Sequence, residues 1–324
     1  MIPRSPVILL SSLLLLASPV QAVGTWDWGP LAQSESPRGE PGESDDLETG
    51  EGEARPGRRH TSPVIERLAR EEAASSERFV LTPHRPNYLL PLTYNTRPND
   101  VPHLSTPGLT EGLDEFEVKF QLSFKVPVWR DLFHGAASLW FAYTQVSFWQ
   151  LYKWDDSAPF RETNYMPEVM LVFTPGFRLA GLTGDLLILG FVHHSNGRAE
   201  ALSRSWNRFF AQIILSRGNF ALSIKPWYRI PESESEDGNP DIEDFFGPGE
   251  VGMAFRSGDH TLSLALRNNF RSDNRGAVMM DWTYPLSGRI SGYLQYFKGY
   301  GESLIDYDHS VNRIGLGVAL TTWM

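Results

Sequence analysis

The sequence predicts an all-β protein, a transmembrane antiparallel β-barrel of about twelve strands. Two observations indicate this fold: apolar and polar residues alternate through most of the chain after residue 86, and aromatic residues cluster where the alternating segments end. A strand sends successive side chains to opposite faces, and a membrane barrel turns its apolar face to lipid and its polar face to the lumen. The alternative is a water-soluble β-sandwich, which would bury the apolar face between two sheets.

The longest alternating run lies at residues 116–128, where apolar residues take every even position and polar residues dominate the odd ones. Such a strict period of two is typical of a strand. The same pattern recurs at 139–151, 165–173, 187–195, 209–215, 220–224, 251–255, 262–266, 278–284, 290–296 and 314–320. A weaker twelfth strand is expected at 88–94, because Pro91 cannot donate to a ladder. The faces opposite the apolar ones carry charged or amide side chains, among them Lys225, Arg229, Arg256, Arg267, Asp281, Gln295 and Arg313.

The N-terminal part of the chain differs in composition from the rest. Residues 1–22 are expected to be a secretory signal peptide, because a basic start precedes a short apolar run and a small-residue cleavage site. Residues 23–85 are expected to be an acidic linker, largely disordered, since few apolar residues interrupt its charges. Residues 65–78 in that segment are expected to form either a short helix or only a transient helix within the linker. Residues 86–324 are then the barrel domain. The net charge of −10 argues against nucleic acid as a partner.

A possible nucleophile and a possible base share the apolar face of one predicted strand. His193 and Ser195 follow Leu187, Leu189 and Phe191 at every second position. Asn207 has the outward parity of the next strand, so it lies beside His193 if the two strands pair. A serine hydroxyl needs a base to remove its proton, and a third group can orient the imidazole. The alternative for His193 is a histidine at the membrane interface that bonds to a lipid headgroup. The alternative for Ser195 is a turn residue at the end of the strand.

The chain also resembles a known family, the bacterial outer-membrane phospholipase A family. The resemblance runs from about residue 87 to the C-terminus and is strongest in six segments. These segments are 193–198 (His-His-Ser-Asn-Gly-Arg), 203–208 (Ser-Arg-Ser-Trp-Asn-Arg), 157–165, 225–228, 239–242 and 299–307. It implies a twelve-stranded barrel in the bacterial outer membrane that hydrolyses phospholipid acyl esters at its outer surface.

The resemblance implies roles for individual residues. Ser195 is expected to be the nucleophile, His193 the base and Asn207 the orienting group, and the Gly197 amide is expected to supply part of an oxyanion hole. Calcium is expected to bind the backbone oxygen of Arg198, the hydroxyl of Ser203 and, from a second copy of the chain, Ser157. Asp237 is the candidate acidic ligand of a second calcium ion, although its loop departs from the family pattern.

Gln145 is an amide on an otherwise apolar outward face. The resemblance implies that it lies at the interface of a homodimer, and that dimerisation activates the enzyme. The residue-level alternative is a snorkelling or lumen-exposed side chain. For the whole chain, the alternative function is a porin or a structural barrel without enzymatic activity, because a charged lumen also suits passage of solutes.

Overall fold

A computed structural model describes residues 63–75, 81–103, 112–154, 158–233, 235 and 237–322. The predicted signal peptide, the acidic segment 34–53 and the predicted calcium ligand Ser157 lie outside the described residues. In the described ranges, no helix has both the length and the apolar composition needed to cross a membrane.

Twelve long strands follow one another along the chain and make up the barrel. They are β1 (Asn87–Asn95), β2 (Phe116–Leu132), β3 (Ala137–Trp149), β4 (Phe160–Phe173), β5 (Leu182–Ser195), β6 (Ser205–Arg217), β7 (Phe220–Ile230), β8 (Gly249–Ser257), β9 (His260–Asn268), β10 (Gly276–Ser287), β11 (Ile290–Tyr300) and β12 (Ser310–Thr321). The helices are α1 (Pro63–Ser75) and α2 (Glu243–Phe246), with short 3-10 turns at Val101–His103 and Glu200–Leu202.

The sheet is closed. Each long strand pairs antiparallel with the next one in the chain, and β12 pairs with β1, so that Arg313 lies opposite Asn95. Two-residue strands at Thr82–Pro83 and Arg178–Leu179 pair with β2 and β5. Closure gives every long strand a paired neighbour on both sides and leaves no open sheet edge, which a sheet in lipid requires. The predicted barrel is therefore confirmed, and the sandwich alternative is wrong.

The alternation read from the sequence corresponds to the two faces of the barrel wall. In β2, Leu122 is 53% exposed, whereas its neighbours Gln121 and Ser123 are 9% and 2% exposed. The same contrast holds in β5 and β6, where Leu189 and Phe209 are exposed on the outside. The outer face is thus apolar, as in membrane barrels. The inner face is polar in β2, whereas in β5 and β6 the buried Ile188, Val192 and Phe210 belong to an apolar cluster inside the barrel.

Ion pairs fill the lumen below one end of the barrel. Arg161 and Arg313 both contact Glu117, at 3.0 Å and 2.7 Å, and Arg313 also contacts Glu302 at 2.8 Å. Lys119 completes the group by reaching Glu302 at 2.9 Å. All of these side chains are almost fully buried, and each charge is matched by an opposite one, which burial of charge requires.

Part of the segment expected to be a linker is helical. Helix α1 lies at the end of the barrel where β1 begins and β12 ends, and Arg67 donates to the carbonyls of Pro83 and Thr322. Glu71 of this helix pairs with Lys125 of β2 at 2.7 Å. The helix is therefore held by the barrel itself, so residues 65–75 of the range 65–78 form a helix that packs on the barrel, while residues 76–78 lie outside the described residues.

The opposite end of the barrel, which we call the site end, is covered by the loops 196–204, 231–248 and 301–309. The last two of these loops pack with β6 in a small apolar core made of Trp206, Ile242, Phe245, Phe246, Leu304 and Tyr307. Trp206 is fully buried in this core and directly precedes Asn207 in β6. The core thus anchors the end of the strand that carries Asn207.

Candidate active site

The pairing of β5 with β6 brings the predicted base and the predicted orienting group together. His193 lies opposite Asn207 in the register, and Ser195 lies opposite Ser205. The Nδ1 atom of His193 is 2.9 Å from the Oδ1 atom of Asn207, which is a hydrogen-bond distance. All three predicted residues project from the outer face of the wall and are partly exposed.

Ser195 lies two residues after His193 on the same face, with Tyr165 of β4 opposite it on its other side. Within the described part of the chain, its hydroxyl has no hydrogen-bond partner, so the bond to His193 is not formed in this state. Nucleophile–base hydrogen bonds are often long before substrate binds. The arrangement therefore leaves the hydroxyl accessible from the lipid-facing side.

The adjacent histidine, His194, points the other way. It is 8% exposed, and its Nδ1 accepts a hydrogen bond of 3.2 Å from the Trp206 indole. This inward orientation follows from the alternation of side chains along β5, which places His194 on the face opposite to His193. No group of three or more His, Asp or Glu side chains that could hold a metal ion occurs among the described residues.

The turn after Ser195 is shaped by Asn196 and Gly197. Asn196 is buried, and its side chain accepts from the backbone N–H of Arg204 at 3.0 Å and donates to the carbonyl of Leu202 at 2.9 Å. Gly197 has a φ of +63°, and a Cβ atom added there would lie 3.0 Å from the ring of Tyr165. Both its conformation and its surroundings therefore favour glycine.

Two of the predicted calcium ligands lie in the loop that follows. The guanidinium of Arg198 turns inward and pairs with Glu162 at 3.1 Å, so the side chain itself is directed away from the outer surface. The Ser203 hydroxyl has no hydrogen-bond partner in the described ranges. Gly238 packs against Ser203, because a Cβ atom at Gly238 would lie 2.5 Å from the Ser203 carbonyl oxygen. The third predicted ligand, Ser157, lies outside the described residues.

Asp237, the candidate ligand of a second calcium ion, lies in an ion pair. The Nη2 atom of Arg229 donates to both carboxylate oxygens, at 2.8 Å and 2.7 Å. Arg229 also donates to the carbonyl of Pro240 at 2.8 Å. Since an arginine already neutralises this carboxylate, Asp237 does not fit as a calcium ligand in this arrangement. The sequence identified Arg229 only as an inward-facing charge.

One residue at the site was missed by the sequence reasoning. Glu232 accepts a hydrogen bond of 3.0 Å from Nδ2 of Asn207, so a carboxylate stands behind the amide that contacts His193. The pairing of β6 with β7 could have indicated Glu232, because Asn207 lies opposite Ile230 at the end of β7. A side chain two residues further on is therefore near the end of β6.

Gln145 lies in a row of polar side chains on the outer face of β3. Its amide accepts from the Tyr143 hydroxyl and donates to Ser147, both at 3.1 Å. Ser147 in turn contacts Thr163 of β4 at 3.1 Å. Gln145 lies opposite Tyr165, the residue that also lies opposite Ser195. The polar row and the candidate active site are therefore close together on one side of the barrel.

Charged groups brace the loops at the site end. Asp306, in the loop 301–309, accepts from Arg161 and from the Ser303 hydroxyl, both at 2.7 Å, and from Asn99 at 3.1 Å. Burial alone would raise the pKa of Asp306, but Arg161 and these hydrogen bonds hold it below its ordinary value. The ionised carboxylate therefore links this loop to β4.

Comparison with known proteins identifies the family. A model of the family described as Phospholipase A1 matches residues 64–320. Phospholipase A1 of Salmonella typhimurium is 39% identical over 242 residues, which are 75% of this chain and 82% of that protein.

Solved structures agree. Outer membrane phospholipase A from Escherichia coli has a TM-score of 0.75 at 35% identity, over 79% of this chain and 98% of that chain. The Salmonella typhi outer membrane phospholipase, solved as a dimer with bound calcium, has a TM-score of 0.73 at 36% identity, over 78% and 96% of the two chains. The chain therefore belongs to the phospholipase A1 family, as an outer-membrane β-barrel and a phospholipid ester hydrolase.

Proposed function

We propose that the chain cleaves phospholipid acyl esters on the outer face of its barrel, with Ser195 as nucleophile, His193 as general base and Asn207 as orienting group. The observation that carries the proposal is the 2.9 Å contact between His193 Nδ1 and Asn207 Oδ1. It lies on the face that also carries the exposed side chains of Leu189 and Phe209. A lipid substrate reaches that face from the membrane without entering water.

The first half of the reaction transfers the acyl group to the protein. Ser195 Oγ attacks the ester carbonyl while Nε2 of His193 takes the hydroxyl proton. The tetrahedral intermediate then expels the glycerol oxygen, which receives that proton from His193. The products of this half are a lysophospholipid and an acyl ester on Ser195.

The second half releases the fatty acid. Water attacks the acyl ester while His193 again takes a proton, and Ser195 leaves with that proton as a free hydroxyl. During both halves, Asn207 Oδ1 accepts a hydrogen bond from Nδ1 and keeps Nε2 directed at the reacting atoms. An amide does this without placing a negative charge directly on the lipid-facing surface.

The negative oxygen of each tetrahedral intermediate needs donors. The backbone N–H of Gly197 supplies one, because this residue lies in the turn directly after the nucleophile and carries no side chain to cover its amide. Pre-oriented donors of this kind typically contribute about 10²–10³-fold in kcat.

Calcium is the proposed cofactor. The backbone oxygen of Arg198 and the hydroxyl of Ser203 fit it, since calcium prefers oxygen ligands and the Ser203 hydroxyl has no other partner among the described residues. Ser157 from a second copy of the chain is the third proposed ligand. When bound beside the site, calcium supplies positive charge that stabilises the oxyanion. Asp237 is left out of this set because Arg229 occupies both of its oxygens.

The proposed active form is a homodimer whose interface includes Gln145. The Salmonella typhi relative was solved as a dimer with bound calcium. In this chain, the polar row at Gln145 and the candidate active site share one side of the barrel. A second copy packed on that side would bring its own loop residues to Ser203 and would line a groove for the acyl chain.

Replacement of Ser195 tests the proposal. Ser195→Ala is expected to lower calcium-dependent release of fatty acid from detergent-dispersed phospholipid by at least ~10⁴-fold, while the barrel keeps its heat-dependent gel migration. Ser257→Ala, at an exposed strand end, is the matched control and should keep the rate of the unchanged protein. Undiminished release by Ser195→Ala would refute the assignment.

The alternative of a porin without enzymatic activity is not supported. The chain belongs to a family of phospholipases. Its lumen is crossed near the site end by the ion pairs of Arg161 and Arg313 with Glu117 and Glu302.

A further inference from the structure

The structure assigns a fourth residue to this site, and we propose that the carboxylate of Glu232 is a positioning residue that fixes the amide of Asn207 and, through it, the proton position on His193. The inference rests on the proposed Ser-His-Asn function and deepens it. Glu232 does not touch the reacting atoms, because the amide of Asn207 stands between it and the imidazole.

The position of Glu232 follows from the end of β7. Ile230 is the last residue of β7 and lies opposite Asn207, and Pro231 then turns the chain away from the ladder. The next side chain reaches back, and Oε1 of Glu232 accepts from Nδ2 of Asn207 at 3.0 Å.

The loop holds Glu232 in this place. The backbone N–H of Asp237 donates to the carbonyl of Ser233 at 3.0 Å, which closes the segment directly after Glu232. The ion pair between Arg229 and Asp237 then ties the same segment to the last residues of β7. Glu232 is therefore attached to a braced loop base rather than to a free loop tip.

The chemistry of the three groups allows one arrangement of protons. A carboxylate accepts hydrogen bonds but cannot donate them, so the NH₂ end of the amide must face Glu232. The carbonyl end then faces His193, and because it too can only accept, Nδ1 of the imidazole must carry the hydrogen. Nε2 is left with a free lone pair, which is the state that a general base for Ser195 requires.

Without the carboxylate, the amide has no such constraint. Asn207 can rotate by half a turn and donate to Nδ1, which would place the hydrogen of the neutral imidazole on Nε2. That tautomer cannot take a proton from Ser195. The carboxylate also stabilises the imidazolium formed when His193 takes the proton, since its charge acts through a polarised hydrogen-bond chain.

The test combines activity with the tautomer of His193. Glu232→Ala is expected to lower kcat by ~10-fold with little change in KM, and Glu232→Gln, which keeps an acceptor, to lower it by ~3-fold. Histidine ¹⁵N shifts of the full chain in micelles should show Nδ1 protonated in the unchanged protein and a mixture of tautomers in Glu232→Ala. Glu243→Ala, an exposed acidic residue of α2, is the control and should change neither property.

A second background separates positioning from mere support of the loop. In Asn207→Asp, a carboxylate contacts His193 directly and is repelled by Glu232, so adding Glu232→Ala should raise kcat there instead of lowering it. The role of Glu232 would be overturned if Glu232→Ala lowered kcat both in the unchanged protein and in Asn207→Asp. An unchanged tautomer of His193 in Glu232→Ala would overturn it as well. The proposed function itself is judged separately by Ser195→Ala, whose full activity would refute that function whatever Glu232 does.

Discussion

Arg229 holds both carboxylate oxygens of Asp237, with its Nη2 atom 2.8 Å from Oδ1 and 2.7 Å from Oδ2. The pair joins the end of β7 to the loop that supports Ser203 and Ser205. Through Asn239, which donates its N–H to Asp237 and accepts from the N–H of Ser205, the loop is bonded to the start of β6. The guanidinium thus supplies at Asp237 the positive charge that a second calcium ion would otherwise bring.

This pair predicts how Asp237 affects calcium dependence. Asp237→Asn is expected to leave the calcium concentration for half-maximal hydrolysis unchanged, because the carboxylate binds Arg229 and not the ion. The free energy of unfolding should fall by about 2 kcal/mol, the typical value of a hydrogen bond to a charged group. Calcium titration of fatty-acid release measures the first effect, with a chelator abolishing activity in both proteins. A clear rise in the required calcium would instead identify Asp237 as a ligand.

Gly197 should be intolerant of any side chain. Gly197→Ala places a Cβ atom 3.0 Å from the Tyr165 ring at a φ of +63°, so the turn must shift and carry its N–H away from the oxyanion. We expect kcat to fall by about 10²-fold. Gly218→Ala is a matched control, since Gly218 has a φ of +55° in a turn with no atom near the added Cβ. Equal losses of kcat in the two variants would exclude a specific role for Gly197.

Gln145 is expected to contribute to dimerisation rather than to the stability of one barrel. Gln145→Ala should weaken the calcium-dependent dimer by about 5-fold, which corresponds to the ~1 kcal/mol of a hydrogen bond between membrane proteins. Sedimentation in detergent measures the dimer constant. Gln212→Ala is the control, because Gln212 lies on the inner face of β6, where it donates to Ser223 at 2.8 Å and cannot meet a second copy of the chain. An unchanged constant for Gln145→Ala would place the interface elsewhere.

The pKa of Asp306 gives the loop 301–309 a pH-dependent stability. Because the folded-state pKa is held below its ordinary value, the carboxylate stabilises the fold above the unfolded-state pKa. This contribution is lost as the pH falls through the folded-state pKa. Asp306→Asn should therefore lower the free energy of unfolding by about 2 kcal/mol at neutral pH, with the difference shrinking in acid. Denaturant titrations at several pH values test this, and the exposed Asp308→Asn should show no such trend.

Most of the fold could be predicted from the alternation of side chains, because each strand faces lipid on one side and the lumen on the other. Even the strand with Pro91 forms, since the register of β1 against β2 shifts between Leu90 and Thr93 and Pro91 falls in that irregularity. The contact of His193 with Asn207 followed from the same parity once the intervening turn was assigned.

The loop contacts could not be read from periodicity. Glu232 and Arg229 reach Asn207 and Asp237 through a loop whose path depends on Pro231, on Asn239 and on packing at Gly238. Docking of α1 depends on Arg67 meeting the carbonyls of Pro83 and Thr322, which are distant in sequence. Such contacts arise from the closed barrel and leave no repeating pattern in the sequence.

The central claim is that the outward-facing hydroxyl of Ser195 is the group that becomes acylated. Reaction of the full chain with a long-chain fluorophosphonate, followed by peptide mass spectrometry, tests it most directly. We expect one modified residue, Ser195, and loss of the modification in His193→Ala. A modification on any other residue, or equal labelling after His193→Ala, would contradict the role of Ser195 as the nucleophile.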